Sequence, residues 1–137
     1  MDTKLTNILK ISIFKYLLSR LPKDSKFWKH ESFGGVDDGM RNLPYVAFGK
    51  SETRLWQSVT FDGQHHQIYL DLYCKAVEQV EAKLCACDII SALHCADFPV
   101  KGHALIEIKY EESEYTKLAD RCAYHVRLKF TVLTISD

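Results

Sequence analysis

Apolar positions in residues 4–21 recur at helical spacing: Leu5, Ile8, Leu9, Ser12, Ile13, Tyr16, Leu17 and Leu21 share one stripe. Lys10, Lys15 and Arg20 lie largely off it. This period predicts an amphipathic helix, and Pro22 stops it. The period is then lost. Residues 23–43, "KDSKFWKHESFGGVDDGMRNL", mix charges with three glycines and predict a long loop. Loops of that length within a compact domain are usually functional or mobile.

From residue 44 the pattern changes to alternation of period two, the mark of half-buried strands. "YVAFG" (45–49) reads as a short strand. Over 54–61, Leu55, Gln57, Val59 and Phe61 oppose Trp56, Ser58 and Thr60, and Asp62-Gly63 follows as a hairpin signal. The return strand sets His66, Ile68, Leu70, Leu72 and Cys74 against His65, Gln67, Tyr69, Asp71 and Tyr73. A helix is expected from about Ala76 to His94, then a turn at Pro99 and Gly102. Near 103–112, Ala104, Ile106, Ile108 and Tyr110 alternate with Leu105, Glu107, Lys109 and Glu111. The last strand has the clearest pattern. Cys122, Tyr124, Val126, Leu128, Phe130 and Val132 oppose Arg121, His125, Arg127, Lys129 and Thr131.

The predicted order is therefore α-β-β-β-α-β-β. It describes an α+β fold with an antiparallel sheet of about five strands and two helices packed on its apolar face. A chain of 137 residues is one domain's worth. The expected divisions are an N-terminal helix (1–22), a loop (23–43), and the sheet with its second helix (44–135).

Charge modifies this picture only locally. The chain is neutral overall, but Lys4, Lys10, Lys15, Arg20, Lys23, Lys26 and Lys29 face only Asp2, Asp24 and Glu31 within residues 1–31. That surplus of +4 is balanced by −4 in the remainder. A solvated helix face accounts for it as well as an acidic partner does, and a dedicated nucleic-acid binder carries a stronger basic excess. "ILKISIFKYLL" is broken by Lys10 and Lys15, far short of the roughly 20 apolar residues of a membrane span. No cleavage-site pattern follows it, so no membrane association or secretion is expected. Five cysteines, an odd count without a secretion signal, fit reduced thiols in a cytoplasmic setting.

The densest chemical stretch is "LCACDIISALHC" (84–95). On a helix, Cys85 and Cys87 point about 200° apart, and Cys87 and His94 are separated by about 10 Å of rise. Neither pair can close a metal site alone, and the cysteines read as small apolar filler. His65 and His66 point to opposite faces of a strand, and Cys74 lies about 27 Å along it from His66. No phosphate-loop, dinucleotide or nucleophile-elbow motif occurs. Asp37-Asp38 lack the spaced ligands of a calcium loop, and "YEESEY" reads as a solvated strand end. No catalytic, cofactor-binding or metal-binding set is expected.

What remains is a contact surface. Glu107, Lys109, His125, Arg127 and Lys129, interleaved with Tyr69 and Tyr73, suit either cross-strand pairing or a face that meets another subunit or lines an aqueous channel. Open sheet edges can be covered in an oligomer. Candidate subunit or tube contacts are Arg54, Trp56, Asp62, His65 and His66 around the hairpin, Arg127 and Lys129 on the last strand, and Trp28 in the loop. Trp56 fits equally as a core residue.

The order of certain residues carries a resemblance. Pro44 and a strand to Gly49 are followed by Ser51-Glu52, Trp56, Asp62-Gly63 and His66. Then come a helix ending in Ala92-Leu93-His94, Gly102-His103, and a closing strand with His125, Arg127 and Phe130. Over about residues 44–135 this resembles the tail-completion, or tail-terminator, proteins of long-tailed phages and gene transfer agents. The turn before the last strand departs from the family's acidic-Pro-Asp-Gly pattern, keeping only Asp120, and Tyr73 stands where tryptophan is common.

The resemblance implies a structural protein that is not an enzyme and needs no cofactor. It implies a homo-hexameric ring at the head-proximal end of a tail tube, stopping tube growth and joining tail to head. The partners so implied are further copies of the chain, the major tail tube protein and head-completion or stopper proteins. DNA would pass through the lumen without sequence-specific binding. The expected location is a virion or phage-like particle tail assembled in the bacterial cytoplasm. The alternatives are another neck connector of the stopper or adaptor type, and a thiol-dependent enzyme using Cys74, Cys95 or Cys122.

Overall fold

Every fourth residue from Leu5 to Leu21 is aliphatic, so one edge of the first helix can bury completely. In the computed structural model, which describes residues 3–21, 45–57, 62–118 and 123–136, it does so. Helix α1 (Thr3–Arg20) places Leu5, Leu9, Ile13 and Leu17 in the core. Strands β1 (Tyr45–Gln57) and β2 (Asp62–Lys75) follow, then a 3-10 turn (Ala76–Glu78) and helix α2 (Gln79–Leu93). Strands β3 (His103–Leu118) and β4 (Ala123–Ser136) complete the chain.

The four strands form one antiparallel sheet in the order β1-β2-β4-β3. The two short strands expected at 45–49 and 54–61 are two parts of β1, whose register shifts between Phe48 and Ser51. Such a bulge resets the alternation, which is why the sequence reads as two strands. Asp62 and Gly63 belong to β2, paired with Gln57 and Trp56, and so do not sit at the reversal. Residues 58–61 lie outside the described part, as do 22–44 with the expected loop.

β3 is longer than expected, and "YEESEY" runs within it rather than at its end. Register shifts between Leu105 and Glu107 and between Tyr110 and Glu112 alter its alternation twice. Leu105 therefore packs toward the core while Ile106 is half exposed, the reverse of strict alternation.

The core lies between one sheet face and the two helices. Ile68, Leu70, Leu72 and Cys74 of β2 and Tyr124, Val126, Leu128, Phe130 and Val132 of β4 meet Ala82, Cys85, Ala86, Ile89 and Leu93 of α2. The cysteines divide. Cys74 and Cys85 are buried as expected, whereas Cys87 and Cys95 are exposed and are not filler. Cys122 lies outside the described residues. Val77 of the 3-10 turn and Val80 and Leu84 of α2 also stand exposed, so this helix buries only one side. Among the described residues, no helix is long and apolar enough to cross a membrane, and no three His, Cys, Asp or Glu residues gather as a metal site.

Candidate functional site

The sheet face away from the helices is polar, and its cross-strand register builds it in rows. Arg54 pairs with His65, which pairs with Leu133. Tyr69 pairs with Lys129, which pairs with Glu112. Ala47, Asp71, Arg127 and Glu114 form the next row, and Tyr45, Tyr73, His125 and Thr116 the last.

Asp71 is the centre of this face. Only 3% of it is exposed although it lies on the polar side. Arg127 donates from Nε to Oδ1 at 2.8 Å and from Nη2 to Oδ2 at 3.3 Å. His125 donates from Nε2 to Oδ1 at 2.8 Å, because an ionised carboxylate can only accept. Burial pushes the Asp71 carboxyl up, but the hydrogen bonds from His125 and Arg127 outweigh it and hold the group below the usual carboxylate value. The hydrogen bond to Asp71 in turn raises Arg127, against the effect of burial.

Aromatic rings brace the cluster. Tyr73 stacks on His125 with centroids 4.6 Å apart, and the Arg127 guanidinium lies 5.3 Å from the centre of the Tyr69 ring. From β1, Gly49 leaves the space the carboxylate needs: a Cβ at that position would collide with Asp71 Oδ2. This is the reason for glycine at the bulge.

Two other cations of the face, Lys129 and Lys109, also have acidic neighbours. Lys129 Nζ is 3.9 Å from Glu112 Oε1, and Lys109 Nζ is 3.8 Å from Glu107 Oε1. Such largely exposed pairs add little stability, but they offset part of the positive charge of the face.

The predicted contact residues separate into distinct settings. Arg54 is exposed and His65 half-buried, adjacent on neighbouring strands. Trp56 and Asp62 hold register positions opposite Gly63 and Gln57. Arg127 and Lys129 lie on the polar face, Arg127 as part of the Asp71 cluster. Trp28 lies outside the described residues.

His66 is not a surface group. It is completely buried, with Nδ1 3.1 Å from Thr53 Oγ1 and Nε2 3.1 Å from Thr134 Oγ1. Thr53 Oγ1 is 3.5 Å from Thr6 Oγ1 of α1. Whichever ring nitrogen carries the proton donates to its threonine, and the other accepts. Burial foremost, then repulsion from His65 and His103, lowers the His66 pKa to about 4. A neutral imidazole thus ties the sheet's inner face toward α1, and the parity of the strand alone could not distinguish this role from a hairpin contact.

Sequence reasoning missed Asp71 and Gly49. The available signal was an aspartate in mid-strand, "IYLDLYC", and an arginine in "HVRLKF". It becomes readable only once β2 and β4 are known to be neighbours.

Residues 34–135 match the family Tail completion protein gp17. A chain from the virion of a native gene transfer agent particle superposes with a TM-score of 0.82 at 16% identity, covering 98% of this chain and all of that one. At that identity the likeness speaks for the fold. No curated protein matches the chain. With the family covering most of the sequence, this chain belongs to the Tail completion protein gp17 family, and its role is a structural one in completing a tail.

Proposed function

We propose that copies of this chain close into a ring, six-fold as in the proteins it resembles, at the head-proximal end of a phage-like tail tube. There the ring stops tube growth and offers a docking surface to head-completion or stopper proteins. The chain is assembled in the bacterial cytoplasm and acts by contact rather than by catalysis. The family match carries this reading, and the two-sided sheet supports it.

One sheet face is covered by helices, and the other is polar, with Arg127, Lys129 and Lys109 set beside acids. A lumen that DNA must traverse needs such a surface. Cations already engaged with acids hold phosphate weakly, whereas an array of free lysines and arginines would retain it. Arg127 and Lys129 are assigned to this face. Arg54, Trp56, Asp62 and His65 near the β1–β2 hairpin, together with Trp28, are assigned to subunit or tube contact. A closed ring requires one patch to meet a different patch on its neighbour.

Native mass spectrometry of the purified protein, with and without the major tail tube protein, tests the reading. A closed oligomer that captures tube protein is expected. A monomer that captures only proteins of the portal side would favour a neck connector instead.

A further inference from the structure

Among the described residues, the helical layer carries two apolar surfaces that are left open. The first is convex. On α2 and its preceding turn, Val77, Val80 and Leu84 are exposed by 88%, 68% and 61%. Together with exposed Cys87 they recur at intervals of three and four residues, so they form one stripe opposite the buried Ala82–Ala86–Ile89 side. Glu81 and Asp88, both exposed, border one side of the stripe two turns apart. On its other side Lys83 is already engaged, with Nζ 5.7 Å from the centre of the Tyr115 ring.

The second surface is concave. A groove of about 670 Å³ runs between α1 and the segment before β3. Its apolar lining includes Ile8, Ile11, Tyr16, Phe98 and Pro99, and the rings of Tyr16 and Phe98 lie 5.1 Å apart. Ser12, Ser19 and the exposed Lys15 and Lys101 supply its polar lining.

We propose that the α2 stripe of one copy seats in the α1 groove of the next, with Glu81 and Asp88 opposite Lys15 and Lys101. This deepens the ring reading above and rests on it. Shape and charge both favour a second copy as the occupant. A ridge of small aliphatic side chains meets a groove with room for several of them, and an acidic border meets basic lining. The two patches are different, so the contact is heterologous, the kind a ring repeats at every junction. Opposite charges beside an apolar contact fix its register and disfavour ridge against ridge.

Sedimentation velocity across a concentration series tests this, with thermal melts confirming that each variant is folded. The wild type should associate. Leu84→Glu, at an exposed position, should weaken association at least about tenfold at an unchanged melting temperature. Glu81→Lys with Asp88→Lys should weaken it by a similar factor. Adding Lys15→Glu and Lys101→Glu to that pair should recover most of the loss. If Leu84→Glu associates as the wild type does, the docking is wrong while the ring reading stands. If the stripe variants keep the oligomer and lose only capture of tube protein, the stripe faces the tube and the proposal is overturned. A wild type that stays monomeric at every concentration overturns the docking as a contact between free copies, while the ring reading is decided separately with tube protein present.

Discussion

Asp71 and Arg127 stand directly opposite one another on β2 and β4 and share a two-point ion pair, with His125 as a third member on the same carboxylate. The pair lies on the polar face, yet Asp71 is almost entirely buried there. A buried carboxylate costs several kcal/mol unless its oxygens are satisfied, so the three side chains stand or fall together.

Removing one member therefore exposes the cost borne by the others. Asp71→Ala and Arg127→Ala should each lose about 2–3 kcal/mol of stability, less than a fully buried pair would because Arg127 is partly exposed. The double variant should fall short of the sum by about 1–2 kcal/mol. Urea denaturation of the four proteins measures the coupling, and strict additivity would contradict it.

Gly49 is needed by the same carboxylate. Gly49→Ala brings a methyl group against an oxygen that Arg127 and His125 hold in place, and should cost about 2 kcal/mol or more. In an Asp71→Ala background the obstructing oxygen is gone, so the penalty should shrink by at least half. An undiminished penalty there would place the strain elsewhere.

Acid should weaken the fold in two stages. His66 has a folded pKa of about 4 against an ordinary value of about 6.5. Its neutral form therefore contributes stability that is fully present above about pH 6.5 and is lost as pH falls toward 4, at most about 3 kcal/mol. Asp71 is held below its ordinary value, so its contribution is present above about pH 4 and is lost only below it. His66→Gln should flatten the melting-temperature profile between pH 6.5 and 4 and leave the lower limb in place. An unchanged upper limb would contradict this account of His66.

Much of the fold was legible because its periods are clean. α1, β2 and β4 follow the faces their apolar residues mark out, whereas α2, which reads as buried throughout, leaves Val80, Leu84 and Cys87 exposed. The errors fall at bulges, where one extra residue resets the alternation: Phe48/Ser51 made β1 look like two strands, and the first shift in β3 exchanged Leu105 with Ile106. The site was less legible for a different reason. Asp71 and Arg127 are 56 residues apart, and they meet only because β4 enters between β2 and β3. His66 showed the right parity but not its depth, which depends on Thr53 and Thr134 closing over both ring nitrogens.

Cys95, just beyond α2, adopts a φ of 60° while its N–H donates to the Ile108 carbonyl at 2.9 Å. This left-handed position favours glycine, and the Cys95 side chain is exposed there. Cys95→Gly should stabilise the protein by about 0.5–1 kcal/mol, raising the melting temperature by roughly 3 °C. Calorimetry would show a drop instead if the thiol carried a structural contact.

The claim that the chain ends a tail tube is tested most directly by the lengths of tubes assembled from the major tube protein, imaged by electron microscopy with this protein present or absent. Added protein should halt elongation and leave a labelled cap at one end of each tube. Tubes that keep growing to the same lengths, with label absent or scattered along their walls, would contradict the account.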